Sequence, residues 1–294
     1  MRATRPAIGR FDNRQHPLGT PGLAPEKLPL TSRLRAKTRG RRPSLYRGGG
    51  LHLRLPSPHK RFVYVYIRKN ASSAFKKWML HEMGDPRGFE VDVGVIAARY
   101  AVSTEWELSQ TQRLLVLRDP VARVCSLFRN KLVQRVHADD ILKNIQALTG
   151  THPDRITFRG FIERYIVPNL RNSFGGLAPI DPHCGTQYSH LWPIQYDVVV
   201  MLNDLDTVAG SLFGDKIAQA FFSRPQNATI QNDFTDGMSD VPSLELRRLF
   251  LESGSMPSDQ SLLDRELREQ ISETYKADAE LISAAFSKCY DPNM

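Results

Sequence analysis

Phe62-Val63-Tyr64-Val65-Tyr66-Ile67-Arg68-Lys69-Asn70-Ala71-Ser72-Ser73-Ala74-Phe75-Lys76-Lys77-Trp78-Met79-Leu80 is the stretch that decides the fold. Its first six residues are an unbroken run of β-branched and aromatic side chains, the pattern of a strand buried on both faces of a parallel sheet. A short polar loop follows, and from Ala74 the spacing and composition are those of a helix. The same grammar returns twice. Leu114-Leu115-Val116-Leu117 reads as a strand, Arg118-Asp119-Pro120 as a turn, and Val121 to about Val136 as a helix with Pro120 suited to its first turn. Asp197-Val198-Val199-Val200-Met201-Leu202 reads as a third strand that passes through Asn203-Asp204 into a helix from Leu205 to about Phe213. Strands alternating with helices predict an α/β fold with a central parallel sheet flanked by helices.

Outside these units, helical patterns cover 157–171, 243–252 and 260–287, the last read as one long amphipathic helix. Residues 84–112 and 174–196 lack a clear period and are expected to form loops on the substrate side. There is no internal repeat.

The chain has 294 residues and a formal charge of +9. Residues 1–60 carry +12 and the rest −3, so the net charge says little about the ligand of the body. The first 60 residues also hold eight prolines and seven glycines, with the runs Arg39-Gly40-Arg41-Arg42 and Gly48-Gly49-Gly50. Such a segment buries too little apolar surface to offset its chain entropy, so a mostly disordered basic tail is expected, followed by a single domain over 61–294. Peripheral contact with an anionic membrane is open to that tail. Specific nucleic-acid binding is not expected, because aromatics that could stack on bases are nearly absent there. Its removal should leave ligand binding by the body nearly unchanged.

No run of about 18 apolar residues is present, as a membrane span would need, and no apolar segment follows the first charges. Cys125, Cys184 and Cys289 are odd in number, far apart and without C-x-x-C spacing, as expected of reduced thiols in a cytoplasmic chain. Asn70-Ala71-Ser72 is a glycosylation sequon inside the first strand–helix loop, harmless only where the glycosylation machinery is absent.

A loop between a buried parallel strand and a helix N-terminus lies at the carboxyl edge of the sheet. There the helix's outward N–H groups and dipole favour an anion. Lys69, Ser72 and Ser73 add a cation and two hydroxyls, which together form a phosphate or sulfate cradle. Alone, Lys69 reads as a surface lysine and Ser73 as a helix N-cap. A Walker A loop is excluded by the absence of G-x-x-x-x-G-K-[ST]. The second unit changes the balance, since Arg118 ends a strand and Ser126 follows eight residues later in the next helix. An arginine fork grips a phosphate with two bonds. Two such anion sites call for a ligand with two separated anionic groups.

The pair Lys69-x-x-Ser72-Ser73 and Arg118-Asp119-Pro120-x-x-Arg123-x-x-Ser126-x-x-Arg129-Asn130-Lys131 resembles the 5′-phosphosulfate and 3′-phosphate motifs of sulfotransferases that use 3′-phosphoadenylyl sulfate. The pair resembles in particular the carbohydrate type, sulfotransferase family 2. Asp181-Pro182-His183 through Gln187 to Tyr196-Asp197, and Tyr275-Lys276-Ala277-Asp278-Ala279-Glu280-Leu281, are similar to two further segments of that family, so the likeness spans roughly 62–286. It implies a P-loop-NTPase-like sulfotransferase fold and transfer of a sulfuryl group from 3′-phosphoadenylyl sulfate to a hydroxyl of a carbohydrate or glycolipid-like acceptor. It further implies that Lys69, Ser72 and Ser73, with the backbone amides of Asn70 and Ala71, hold the 5′-phosphosulfate, and that Arg118 and Ser126 hold the 3′-phosphate. Arg68 stands where the family usually has proline. A family disulfide near 181–197 is not expected, because only Cys184 remains there.

Attack by a hydroxyl needs a base. His183 is the first choice through the family-like segment, with His137, Asp181 and His81 as alternatives. No metal is implied, since no His, Cys, Asp or Glu cluster has ligand spacing. Two other readings stay open. A phosphotransferase with an atypical phosphate-binding loop would bind ATP with magnesium, and a non-enzymatic anion- or nucleic-acid-binding protein would use the tail.

Overall fold

A computed structural model of the chain describes residues 7–14, 49–56, 58–59, 61–85, 91–171, 183–223, 230–232 and 237–287. The chain falls into two compact units. Met1–Arg118, Thr186–Gln226 and Glu280–Met294 make the first; Asp119–Gly185 and Asn227–Ala279 make the second.

The first unit is built on a five-stranded sheet of order β1-β5-β4-β3-β2. Its strands are β1 (Gly9–Asp12), β2 (Leu51–Arg54), β3 (Phe62–Tyr66), β4 (Gln112–Leu117) and β5 (Gln195–Met201). The three strands expected from the sequence are the parallel centre, with Tyr64 opposite Leu114 and Val116 opposite Val200. Their continuous apolar runs follow from burial on both faces. Tyr64, Leu114, Val116 and Val200 enter one core and Val63, Val65, Leu115, Leu117 and Val199 the other. On the first face lies helix α1 (Ser72–Met83), whose Phe75 ring stacks on Tyr64 at 3.8 Å. Trp78 and the helix Leu205–Phe213 complete that cluster.

Both edge strands come from the segment expected to be disordered. β1 runs antiparallel to β5, and β2 antiparallel to β3, so the sheet is mixed, parallel only in its centre. Phe11, Leu53 and Leu55 are buried in the two cores. Four-residue strands show no period that a sequence reading can detect, and they gain their stability by pairing with a sheet formed elsewhere in the chain. The glycine run has a packing reason too. A Cβ on Gly49 would lie 2.3 Å from Trp192 Cδ1, and one on Gly50 2.8 Å from His190 Cβ. Residues 1–6, 15–48, 57 and 60, including Arg39-Gly40-Arg41-Arg42, lie outside the described residues.

Residues 84–112 are not simply loop. They hold helices Val93–Tyr100 and Glu105–Ser109, started by Asp92, which accepts the Gly94 N–H, and Thr104, which accepts the Glu107 N–H. Thr104-x-x-Glu107 is a capping-box spacing that marks the second of these in the sequence.

The second unit is mainly helical. Helix α2 (Pro120–Phe128) runs into a π-helical turn, Arg129–Val133, and packs in a core with Phe158, Phe161, Tyr165, Leu267, Ile271 and Tyr275. The helix expected over 260–287 is three helices, Asp259–Leu262, Arg265–Thr274 and Lys276–Phe286. Ser258 and Asp264 supply the caps that break it, accepting the N–H groups of Ser261 and Leu267. No helix among the described residues is long and apolar enough to cross a membrane.

Candidate active site

In the first unit the chain leaves β3 through a tight turn. The Asn70 N–H donates to the Ile67 carbonyl at 3.2 Å, and Lys69, third in that turn, has φ 71°. Proline is favoured at the second position of such a turn, the place held by Arg68, so the turn forms here without it. Ala71 is also left-handed, at φ 56°, and caps α1 without a side-chain hydrogen bond. Its carbonyl takes the N–H groups of Ala74 and Phe75. Ser73 is therefore not the cap. Ser72 and Ser73 are the first two residues of the helix, whose N–H groups lack intrahelical acceptors. An anion is favoured at that point.

The loop is pinned from beneath. Tyr64 Oη donates to the Asn70 carbonyl at 3.0 Å, and Asn70 Nδ2 donates to the Val116 carbonyl at 2.8 Å and to Gln187 Oε1. Asn70 is fully buried. Arg118, just past the end of β4, donates from Nη1 to the Lys69 carbonyl at 3.2 Å. Its own backbone is held by Gln187, which accepts the Arg118 N–H at 2.9 Å and donates to the Arg118 carbonyl at 2.8 Å. Lys69, Asn70, Ala71, Ser72, Ser73 and Arg118 are thus brought together at neighbouring strand ends. Lys69, Ser72, Ser73 and Arg118 stay partly exposed.

Ser126 and His183 belong to the second unit. Asp119 caps α2 by accepting the Ala122 N–H at 2.8 Å, and Ser126 is a partly exposed residue in its second turn. Three basic residues around it are buried scaffold. Arg123 reaches the His183 carbonyl at 3.5 Å, Arg129 the Pro257 carbonyl at 3.1 Å, and Lys131 the carbonyls of Val136 and His137 at 2.9 and 2.6 Å. His183 is itself buried, and the Cys184 carbonyl beside it accepts from Tyr275 Oη at 2.7 Å.

A model of the sulfotransferase family matches residues 55–282. The chain belongs to the sulfotransferase family. Neither the curated proteins nor the solved structures yield a match.

In this sulfotransferase the alternative bases scatter. His81 is on the last turn of α1 beside Glu82, His137 is exposed with φ 45°, and Asp181 lies outside the described residues. Beside the cradle, burial pushes the Tyr66 phenol above its usual range, while hydrogen bonds with Arg68 and Ser72 work against that rise. Cys125 and Cys184 are buried, and Cys289 lies outside the described residues. Among the described residues no group of three or more His, Cys, Asp or Glu is gathered as a metal site would need.

Two contributors escape motif reading. Gln187 is a single polar residue in an aperiodic stretch, marked only by its place in the family-like 181–197 segment. The Asn70 side chain is the other, anchoring the loop through bonds to Val116 and Gln187 far away in the chain.

Proposed function

We propose that this sulfotransferase moves a sulfuryl group from 3′-phosphoadenylyl sulfate to a hydroxyl of a carbohydrate or glycolipid-like acceptor. The observation that carries the reading is the bond from Arg118 Nη1 to the Lys69 carbonyl, which sets two cations at the ends of adjacent strands β3 and β4. A donor with phosphosulfate at one end and phosphate at the other matches that pair.

In the reaction the acceptor oxygen attacks sulfur in line and the bond from sulfur to the 5′-phosphate oxygen breaks. Adenosine 3′,5′-bisphosphate leaves. Lys69 meets the charge that grows on the departing oxygen, and the outward N–H groups of Ser72 and Ser73 hold the phosphosulfate oxygens. Arg118 takes the 3′-phosphate, a role the family motif also gives to Ser126. The family-like segment gives His183 the part of accepting the acceptor's proton and returning it to solvent after product release. We place the reaction in the cytoplasm. Asn70 opens the sequon, and its amide nitrogen is already committed to Val116 and Gln187, which leaves no place for a glycan in this fold.

The test is transfer of labelled sulfate from the donor to a panel of sugars and glycolipids by the full chain. Label on a hydroxyl, abolished in Lys69→Ala, supports the reading. No transfer to any acceptor, with ATP and magnesium binding instead, overturns it.

A further inference from the structure

Gln187 is fully buried, yet it lies on no strand or α-helix. It stands at the head of a short 3-10 turn, Tyr188–His190, that is fastened to the sheet's edge, where the His190 carbonyl accepts the Gly50 N–H at 2.9 Å. From that anchor its amide uses both ends. Oε1 accepts from Asn70 Nδ2 and from the Arg118 N–H, and Nε2 donates to the Arg118 carbonyl. A carboxamide offers an acceptor and a donor in a single plane, without a charge. An apolar residue would satisfy neither loop, and a carboxylate would face the Arg118 carbonyl with like polarity.

We propose that Gln187 is a positioning residue that locks the Lys69 loop and Arg118 into one rigid grip, so that recognition of the two ends of the donor is coupled through it. The inference rests on the donor reading above. Arg118 contributes a second strut by its bond to the Lys69 carbonyl, but Gln187 fixes the backbone from which that guanidinium projects. Loss of Gln187 therefore loosens both ends at once. Loss of the Lys69 ammonium weakens the 5′ end, and loss of Arg118, which also removes its strut to the Lys69 carbonyl, weakens the 3′ end most.

The test is calorimetric titration of the full chain with adenosine 3′,5′-bisphosphate, adenosine 3′-monophosphate and adenosine 5′-monophosphate. Wild type is compared with Gln187→Met, Gln187→Glu, Arg118→Ala and Lys69→Ala, with circular dichroism as the folding control. We expect Gln187→Met to weaken the bisphosphate at least tenfold and both monophosphates as well, and to raise the KM for the donor while that for the acceptor stays. Gln187→Glu, which keeps two of the three bonds, should recover part of the loss. Arg118→Ala should weaken the ligands that carry a 3′-phosphate and Lys69→Ala those that carry a 5′-phosphate. A folded Gln187→Met within twofold of wild type, or one weakened at a single end, overturns the inference while leaving the donor reading intact. Absence of bisphosphate binding by wild type overturns both. Should Gln187→Met not fold, hydrogen exchange in wild type decides. The Arg118 N–H, one residue past β4, should be protected like the strand and at least tenfold further by bisphosphate, and exchange at the rate of an open loop contradicts the lock.

Discussion

Arg118 Nη1 donates to the carbonyl oxygen of Lys69 at 3.2 Å, so the cation after β4 is also a support for the loop after β3. Replacing Arg118 by alanine removes a charge-assisted contact with the ligand and this strut together. Bisphosphate binding should fall by about 2–5 kcal/mol. Lysine should not restore it, because an ammonium cannot hold phosphate and carbonyl in one fork. Since the two sites share a bond, Arg118→Ala combined with Lys69→Ala should cost less than the sum of the single losses. Titration of the four proteins checks this.

Lys69 is held at φ 71°, a left-handed conformation that costs a side-chain-bearing residue about 1 kcal/mol. Lys69→Gly should therefore be more stable than Lys69→Ala by about 1 kcal/mol in denaturant melts, while both lose sulfate transfer alike. Equal stabilities would show that the turn relaxes in the alanine protein.

Deleting residues 1–60 should not be benign. It removes both edge strands and takes Phe11, Leu53 and Leu55 out of the cores, each worth about 1.5–3 kcal/mol on burial. It also bares the flanks of β3 and β5 to pairing with other chains. We expect a lower Tm and aggregation by light scattering. A monomer with the wild-type Tm would contradict the sheet described here.

His52 gives the fold a pH dependence. Its ring stacks on Trp192 at 3.7 Å, with Nδ1 donating to the Gly50 carbonyl and Nε2 accepting from Tyr196 Oη, both at 3.1 Å. Burial lowers its pKa from 6.5 to about 3. Below 6.5 the unfolded chain binds a proton that the folded chain refuses, so stability falls as pH drops from 6.5 toward 3. One such group should cost about 2 kcal/mol between pH 7 and pH 5. His52→Gln should flatten that slope in urea melts, whatever its effect on stability at pH 7.

The parallel centre of the sheet was legible because β3, β4 and β5 are buried on both faces and read as unbroken apolar runs. The edges were not. Gly9–Asp12 is held by β5, far away in the chain, and Leu51–Arg54 is a four-residue run beside β3 too short to show a period, while Gly49 and Gly50 before it serve contacts with Trp192 and His190 that no local pattern signals. At the site, Lys69, the two serines and Arg118 were legible from their places after strands, since strand ends and helix starts impose the geometry. Gln187 and the Asn70 side chain act through buried bonds between segments 46 to 117 residues apart, a relation that sequence spacing does not encode.

We propose that the two strand-end cations grip a donor with two anionic ends. Titration of the full chain with adenosine 3′,5′-bisphosphate, in parallel with ATP and magnesium, tests it most directly. We expect one bisphosphate per chain, bound without magnesium and weakened by both Lys69→Ala and Arg118→Ala. No heat with the bisphosphate beside saturable, magnesium-dependent binding of ATP would contradict it.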